Sequence, residues 1–129
     1  MNIQKYTFYD PTSINTKQYA KSQITRHALK QGKRRGAPFY DNVSNLLKPH
    51  LSFHSKMICL GTRNNHERDA FREALSLDEI SSCDIAPLSQ ADFVMDFNNL
   101  PGEWKNSWDI VYSNALDHAI NATLTFYHW

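Results

Sequence analysis

Apolar positions along the chain fall first in helical spacing and then in short unbroken runs. Tyr19, Ala20, Ile24 and Ala28 make a narrow helical stripe. Ser13 or Asn15 supplies a cap and Gly32 a stop, so a first helix is predicted to about residue 31. Pro38 suits the first turn of a second helix, in which Phe39, Val43, Leu46 and Leu47 share a face before Pro49 ends it. The pattern then changes. Met57, Ile58, Cys59 and Leu60 are apolar on both faces and run into Gly61, a polar turn, and a third helix over 67–75. Ala70, Phe71, Ala74 and Leu75 are expected to face inward, and Glu67, Arg68, Asp69, Arg72 and Glu73 outward. Three more short strands are predicted. The first covers 79–85 and ends near Asp84, the second covers 93–95 and ends at Asp96, and the third covers 108–112 and ends at Ser113-Asn114. Residues 115–129 are apolar enough for a closing helix, which Thr123 and Thr125 weaken.

A strand apolar on both faces is buried on both sides, as in a parallel sheet. With helices before and after it, the order argues for an α/β fold of about four parallel strands preceded by two N-terminal helices. The chain divides into a basic helical segment, 1–55, and a core, 56–129. Within the core, the turn after Leu60 brings free N–H groups and a helix start to one point, a cradle for a polar or anionic ligand.

Charge changes this picture only by its distribution. The net charge is +1, yet residues 1–56 hold ten Lys or Arg against Asp10 and Asp41, and residues 57–129 hold four against eleven acids. Lys30, Lys33, Arg34 and Arg35 crowd the end of the first helix, where cations suit the dipole. Two readings follow: a basic face for RNA, an acidic glycan or a membrane surface, or a solvated helix surface that balances an acidic neighbour. The second is preferred, because the cluster has no interleaved aromatic platform for nucleic acid. No apolar run approaches the roughly 20 residues of a membrane span. The N-terminus lacks the apolar stretch of a signal peptide, so a cytoplasmic setting is expected. There Cys59 and Cys83 are expected to be reduced, buried thiols, although their number allows a disulfide. His50 and His54 have metal-pair spacing on a helix, but Pro49 and the lack of nearby acids or cysteines argue for a loop, and no metal site is assigned.

The chemistry concentrates at strand ends. Ligands of open parallel sheets lie beyond the carboxyl ends of the strands, where Gly61, Asp84 and Asp96 fall in order. An acid after the second strand can accept from both ribose hydroxyls. An acid after the third can accept from the adenine amine, with Phe97 over the ring. A single Asp at a strand end is also an ordinary turn former.

The stretches Met57-Ile58-Cys59-Leu60-Gly61-Thr62-Arg63-Asn64, Cys83-Asp84-Ile85, Met95-Asp96-Phe97-Asn98-Asn99-Leu100-Pro101 and Trp108-Asp109-Ile110-Val111-Tyr112-Ser113-Asn114 through His118 resemble successive motifs of class I S-adenosylmethionine-dependent methyltransferases. The resemblance implies the N-terminal part of a Rossmann-like methyltransferase sheet with S-adenosylmethionine as cofactor. It assigns Gly61, Thr62 and Arg63 to the methionine side, Asp84 and Ile85 to the ribose, Asp96 and Phe97 to adenine, and Asn114 to the closing of the methionine side. His118 becomes a candidate base, or with Asp117 a cap of the last helix. The alternative function is a module that binds the cofactor or its product without turnover. The chain departs from the family twice. Cys59 stands in the place of an acid, and Gly61 is the only glycine of its turn. The strands that normally follow the fourth are missing, which implies a truncated or minimal domain, a partner chain or second copy along the fourth strand's edge, or a remnant that binds only. The closing segment with Leu124, Phe126, Tyr127 and Trp129 is a candidate to cover part of that gap. The methyl acceptor is left open.

Overall fold

The structure is a computed structural model that describes residues 17–19, 21, 23, 24 and 36–129. The described residues between 17 and 24 are helical, as predicted. The cap candidates Ser13 and Asn15, Ala20, Ala28, the stop Gly32 and the basic cluster at Lys30, Lys33, Arg34 and Arg35 lie outside the described residues.

Helix α1, Ala37–Leu47, starts with Pro38 in its first turn and buries Tyr40 and Ser44. Strand β1, Lys56–Leu60, leads into helix α2, His66–Ala74, and then into β2, Glu79–Asp84. Two short strands follow, β3, Phe93–Val94, and β4, Ile110–Ser113, before helix α3, Ala122–His128. All four strands are parallel, in the order β3-β2-β1-β4. The fold is therefore α/β with an all-parallel sheet.

Strand β1 is central, pairing Ile58 with Ser81 on one side and with Val111 on the other. Its position explains its sequence. Met57 and Cys59 meet Tyr40, Phe71, Leu75 and Ile80 beneath α1 and α2, while Ile58 and Leu60 pack with Cys83 on the opposite face. All four apolar residues of β1 are at most 1% exposed. Full burial of a large apolar side chain contributes about 1.5–3 kcal/mol, so this strand anchors the molecule. On the α1 side, the Tyr40 ring meets Phe39, His66 and Phe71 edge-on at 5.2–5.7 Å. Among the described residues, the other face is covered mainly by irregular chain and a 3-10 turn, Gly102–Trp104. Phe93, Trp104 and Trp108 form edge-to-face pairs, and Trp129 lies against Phe97.

Several expectations change. On α1, Phe39, Val43 and Leu47 pack half-buried against the core as expected, but Leu46 is 75% exposed and the fully buried positions are Tyr40 and Ser44, because the packing face is set by contact with α2 and not by apolar count. Arg68, expected outward, has only 14% of its side chain exposed and is drawn against Asp92 by charge. The closing helix is shorter than predicted. Leu116–His118 is a single 3-10 turn, and the α-helix begins only where Asn121 accepts the Leu124 N–H at 3.0 Å. Within that helix Thr125 is buried, while Leu124, Phe126 and Tyr127 are exposed, so only Trp129 of the closing segment packs on the core. No helix among the described residues is long and apolar enough to cross a membrane.

Candidate functional site

Gly61 ends β1 with φ +70°, where an L side chain is strained. The main chain then continues the ladder, with the Gly61 and Thr62 N–H groups both directed to the Cys83 carbonyl at 2.8 and 3.4 Å. The Asn64 N–H closes on the Thr62 carbonyl at 2.6 Å around Arg63, whose φ is 59°. This is a γ-turn of the rare positive-φ kind. Asn65, also left-handed at φ 62°, is the residue before α2. Its side chain does not cap the helix. Asn64 does so instead, its Oδ1 accepting the His66 N–H at 3.2 Å. Three left-handed residues in one five-residue turn are local strain that the surrounding bonds must hold, a pattern that clusters at binding sites.

Asp84, at the end of β2, supplies one of those bonds. Its Oδ2 accepts the Arg63 N–H and its Oδ1 the Ala86 N–H, both at 2.8 Å, and the residue is buried. Asp96, after β3, forms a turn as well as lining the site. Its Oδ1 accepts the Asn98 N–H at 2.9 Å and the Asn98 Nδ2 at 2.6 Å. At the end of β4, the Ser113 hydroxyl donates to the Leu60 carbonyl at 2.9 Å and accepts the Ala115 N–H at 3.0 Å. The Asn114 amide donates to Glu67 Oε1 at 2.7 Å, bridging β4 to the start of α2.

Two adjoining cavities result. The first, about 70 Å³, is lined by Gly61, Arg63, Asp84, Ile85, Asp96 and Phe97, and Tyr19 and Gln23 of the N-terminal helical residues lie across it. The second, about 310 Å³, holds Thr62, Asn64, His66, Glu67 and Asn114 and reaches the lower end of ligand-pocket size, roughly 300–1,000 Å³. Gly61, Arg63, Ala115 and His118 border both. All nine residues singled out in the sequence thus line one cavity or the other. His118 is a wall residue in a 3-10 turn, its Nε2 3.8 Å from Asp117 Oδ2, and it caps no helix. Thr62 is 2% exposed, yet its hydroxyl has no hydrogen-bond partner. A buried unsatisfied hydroxyl costs about 1–3 kcal/mol unless something meets it. His50 and His54 are both exposed, one in a 3-10 turn and the other in the loop after it, and no group of three potential ligands among the described residues is placed to hold a metal.

Three features escaped the sequence reading. Tyr19, expected on an apolar stripe, donates from its hydroxyl to the His118 carbonyl at 2.8 Å and accepts from Asn98 Nδ2 at 3.0 Å. Asn98 also accepts the Ile120 N–H and the Thr125 hydroxyl, so one amide ties the β3 loop, the closing segment and Tyr19 together. Beneath the turn, Asn65 Oδ1 accepts the Ser82 hydroxyl and Asn65 Nδ2 donates to the Gln90 carbonyl, both at 2.6 Å. Asp92 Oδ2 accepts the Ser82 N–H at 2.9 Å and Oδ1 the Arg68 guanidinium at 2.8 Å. Burial works to raise the Asp92 carboxyl, but these donors outweigh it and hold its pKa below the usual carboxylate range. Only the Ser-Ser pair inside β2 hinted at this, since a serine that is fully buried needs partners. Cys59 and Cys83 are free and buried. Burial, with Asp84 and Asp96 nearby, pushes the Cys83 thiol up to about 12, and burial together with Glu67 pushes Cys59 higher, so neither is a nucleophile.

What fold and geometry define is an α/β protein with an all-parallel sheet and polar cavities at the carboxyl ends of its strands. No family model, curated protein or solved structure matches the chain.

Proposed function

We propose that the chain binds S-adenosylmethionine across the two cavities and, given an acceptor, transfers its methyl group. One observation carries this reading: Gly61, Asp84, Asp96 and Asn114, at the ends of four neighbouring parallel strands, line one pair of adjoining cavities. The order β3-β2-β1-β4 agrees with the first half of a doubly wound, Rossmann-like sheet, whose ligands lie where the strand order reverses, here between β1 and β4. A nucleoside suits the first cavity, with its two acids and Phe97, and acids there disfavour a phosphate. An amino-acid end suits the second, where the Thr62 hydroxyl awaits a partner, Arg63 brings a cation and Glu67 an anion.

The cofactor supplies an activated methyl on a sulfonium. The chain's part is to hold that end still and exclude water, since orientation dominates an in-line transfer. His118, on the wall common to both cavities, is the group to take a proton from an acceptor that carries one. Buried free thiols at Cys59 and Cys83 suit a cytoplasmic setting.

A second reading is binding of the cofactor or its product without turnover, with its methionine end held off Gly61 by Ala115, whose Cβ would stand 2.6 Å from a Cβ on that glycine.

Calorimetry with S-adenosylmethionine and S-adenosylhomocysteine tests both readings. One saturable site is expected. Thr62→Val is expected to weaken binding while leaving the free protein as stable or more so, since it removes an unsatisfied hydroxyl. No heat from folded protein with either ligand refutes both readings. Transfer of labelled methyl to any component of a cell extract separates enzyme from module.

A further inference from the structure

Strand β4 is an edge. It pairs with β1 along one side, and no strand of the described residues pairs along the other. Edges invite pairing unless they are very short or carry charge, proline or a bulge. The opposite edge, β3, is two residues long, whereas β4 is the four-residue run Ile-Val-Tyr-Ser. The four residues of β4 are all only partly buried.

We infer that two copies of the chain pair antiparallel along β4, about a twofold axis through Val111. The register follows from the faces. Ile110 and Tyr112 lie on the face of Met57 and Cys59, and Val111 lies on that of Ile58. A twofold axis normal to the sheet keeps each face continuous, so only residues of the same face stand opposite one another. Centring on Val111 sets it against itself, Ile110 against the second copy's Tyr112 twice, and Asp109 against an uncharged Ser113. Aromatic and β-branched pairs of this kind are the stabilising ones, and no like charges meet. Moving the axis to Tyr112 pairs Ile110 with Asn114, and moving it to Ile110 pairs Tyr112 with Trp108, ahead of the strand. The Val111 register alone matches apolar to apolar along the strand. It joins the two sheets into one of eight strands and sets the second copy's Trp108 beside Asn114, a wall residue of the second cavity.

The test is sedimentation velocity of the full chain over a concentration series, followed by cross-linking. A dimer is expected. Val111→Cys is expected to cross-link to itself under mild oxidation or with a short bismaleimide, since facing Cβ atoms in such a pair lie about 4.5–5.5 Å apart. Cys59 and Cys83, both fully buried, stay silent. Val111→Lys is expected to sediment as a monomer with an unchanged circular dichroism spectrum. The conservative V111C variant decides the matter if V111K does not fold. A chain that is monomeric throughout the series overturns the inference. So does a dimer that persists in folded V111K, or one in which V111C fails to cross-link, for each assigns the contact to another surface. Ligand binding is not read in any arm, so a failure here is distinct from a failure of the proposed function.

Discussion

Gly61→Ala is the most direct probe of how the turn is built. Two costs fall on one methyl group. The backbone at φ +70° is left-handed, which costs an L residue about 1–2 kcal/mol. The new Cβ would lie 2.6 Å from the Ala115 Cβ, about an ångström inside ordinary carbon contact. Ala115 cannot yield by rotating a side chain, because its Cβ moves only with its backbone. That backbone is held by the Ser113 hydroxyl, which is itself bonded to the Leu60 carbonyl. Overpacking of this kind costs about 1–3 kcal/mol. The expected loss is therefore about 2–5 kcal/mol, a large part of the roughly 5–15 kcal/mol that holds a domain together. Ala115→Gly should remove the overlap and leave the backbone cost, so in the double variant about 1–3 kcal/mol returns. Urea unfolding followed by tryptophan fluorescence measures all four corners of the cycle, since Trp104, Trp108 and Trp129 all pack on the second face of the sheet. A Gly61→Ala protein within about 0.5 kcal/mol of the parent refutes the reasoning. An Ala115→Gly change that restores nothing refutes the contact specifically.

Two further outcomes are expected. Asn98→Ala strips donors and acceptors from Asp96, Tyr19, Thr125 and the Ile120 N–H at once, and is expected to cost about 1–3 kcal/mol while speeding hydrogen exchange at Ile120; unchanged exchange there would show that the amide does not hold the closing segment. Asp92 has a folded pKa below its unfolded one, so its contribution is present above the ordinary carboxylate range, near 3.9, and is lost as pH falls through the lowered value. Asp92→Asn is thus expected to be less stable at neutral pH and to flatten the acid limb of the stability curve, and a variant whose curve parallels the parent's would mean that the Arg68 pair does not couple to folding.

The sheet was legible because burial writes itself into sequence. Met57 to Leu60 is apolar at every position, and the structure puts that strand in the middle with a core on each side. The strand ends were legible because glycine and aspartate are turn residues, and turns at the carboxyl side of parallel strands are where a cavity forms. What sequence did not show was held by pairs far apart in the chain. Nothing in the pattern of Tyr19 distinguishes a stripe residue from one whose hydroxyl reaches His118 and Asn98. Leu46 and Phe126 are apolar at helical positions yet exposed, because which face of a short helix is buried depends on its neighbour. Arg68 reads as a solvated cation, and the Asp92 carboxylate beside the sheet edge draws it inward.

The network around Asp92 also explains how so short a link joins two parallel strands. A parallel pair ordinarily needs a crossover of a dozen or more residues, most often a helix. Here residues 85–92, with one 3-10 turn, connect β2 to β3. Little chain is left for pairing, and the register covers only Cys83 with Phe93 and Asp84 with Val94. Toward the start of β2 the next donor is the Ser82 N–H, which finds the Asp92 carboxylate where a further strand residue would otherwise stand. The Asp92 N–H in turn goes to the Ser82 hydroxyl at 3.0 Å, so the side chains finish the ladder that the main chain cannot. Because the same hydroxyl donates to Asn65, the sheet edge is locked to the strained turn that forms the cavities. Ser82 is therefore no lapse in an apolar strand. It is what lets a sheet with a minimal crossover hold the Gly61–Asn65 turn in its left-handed shape.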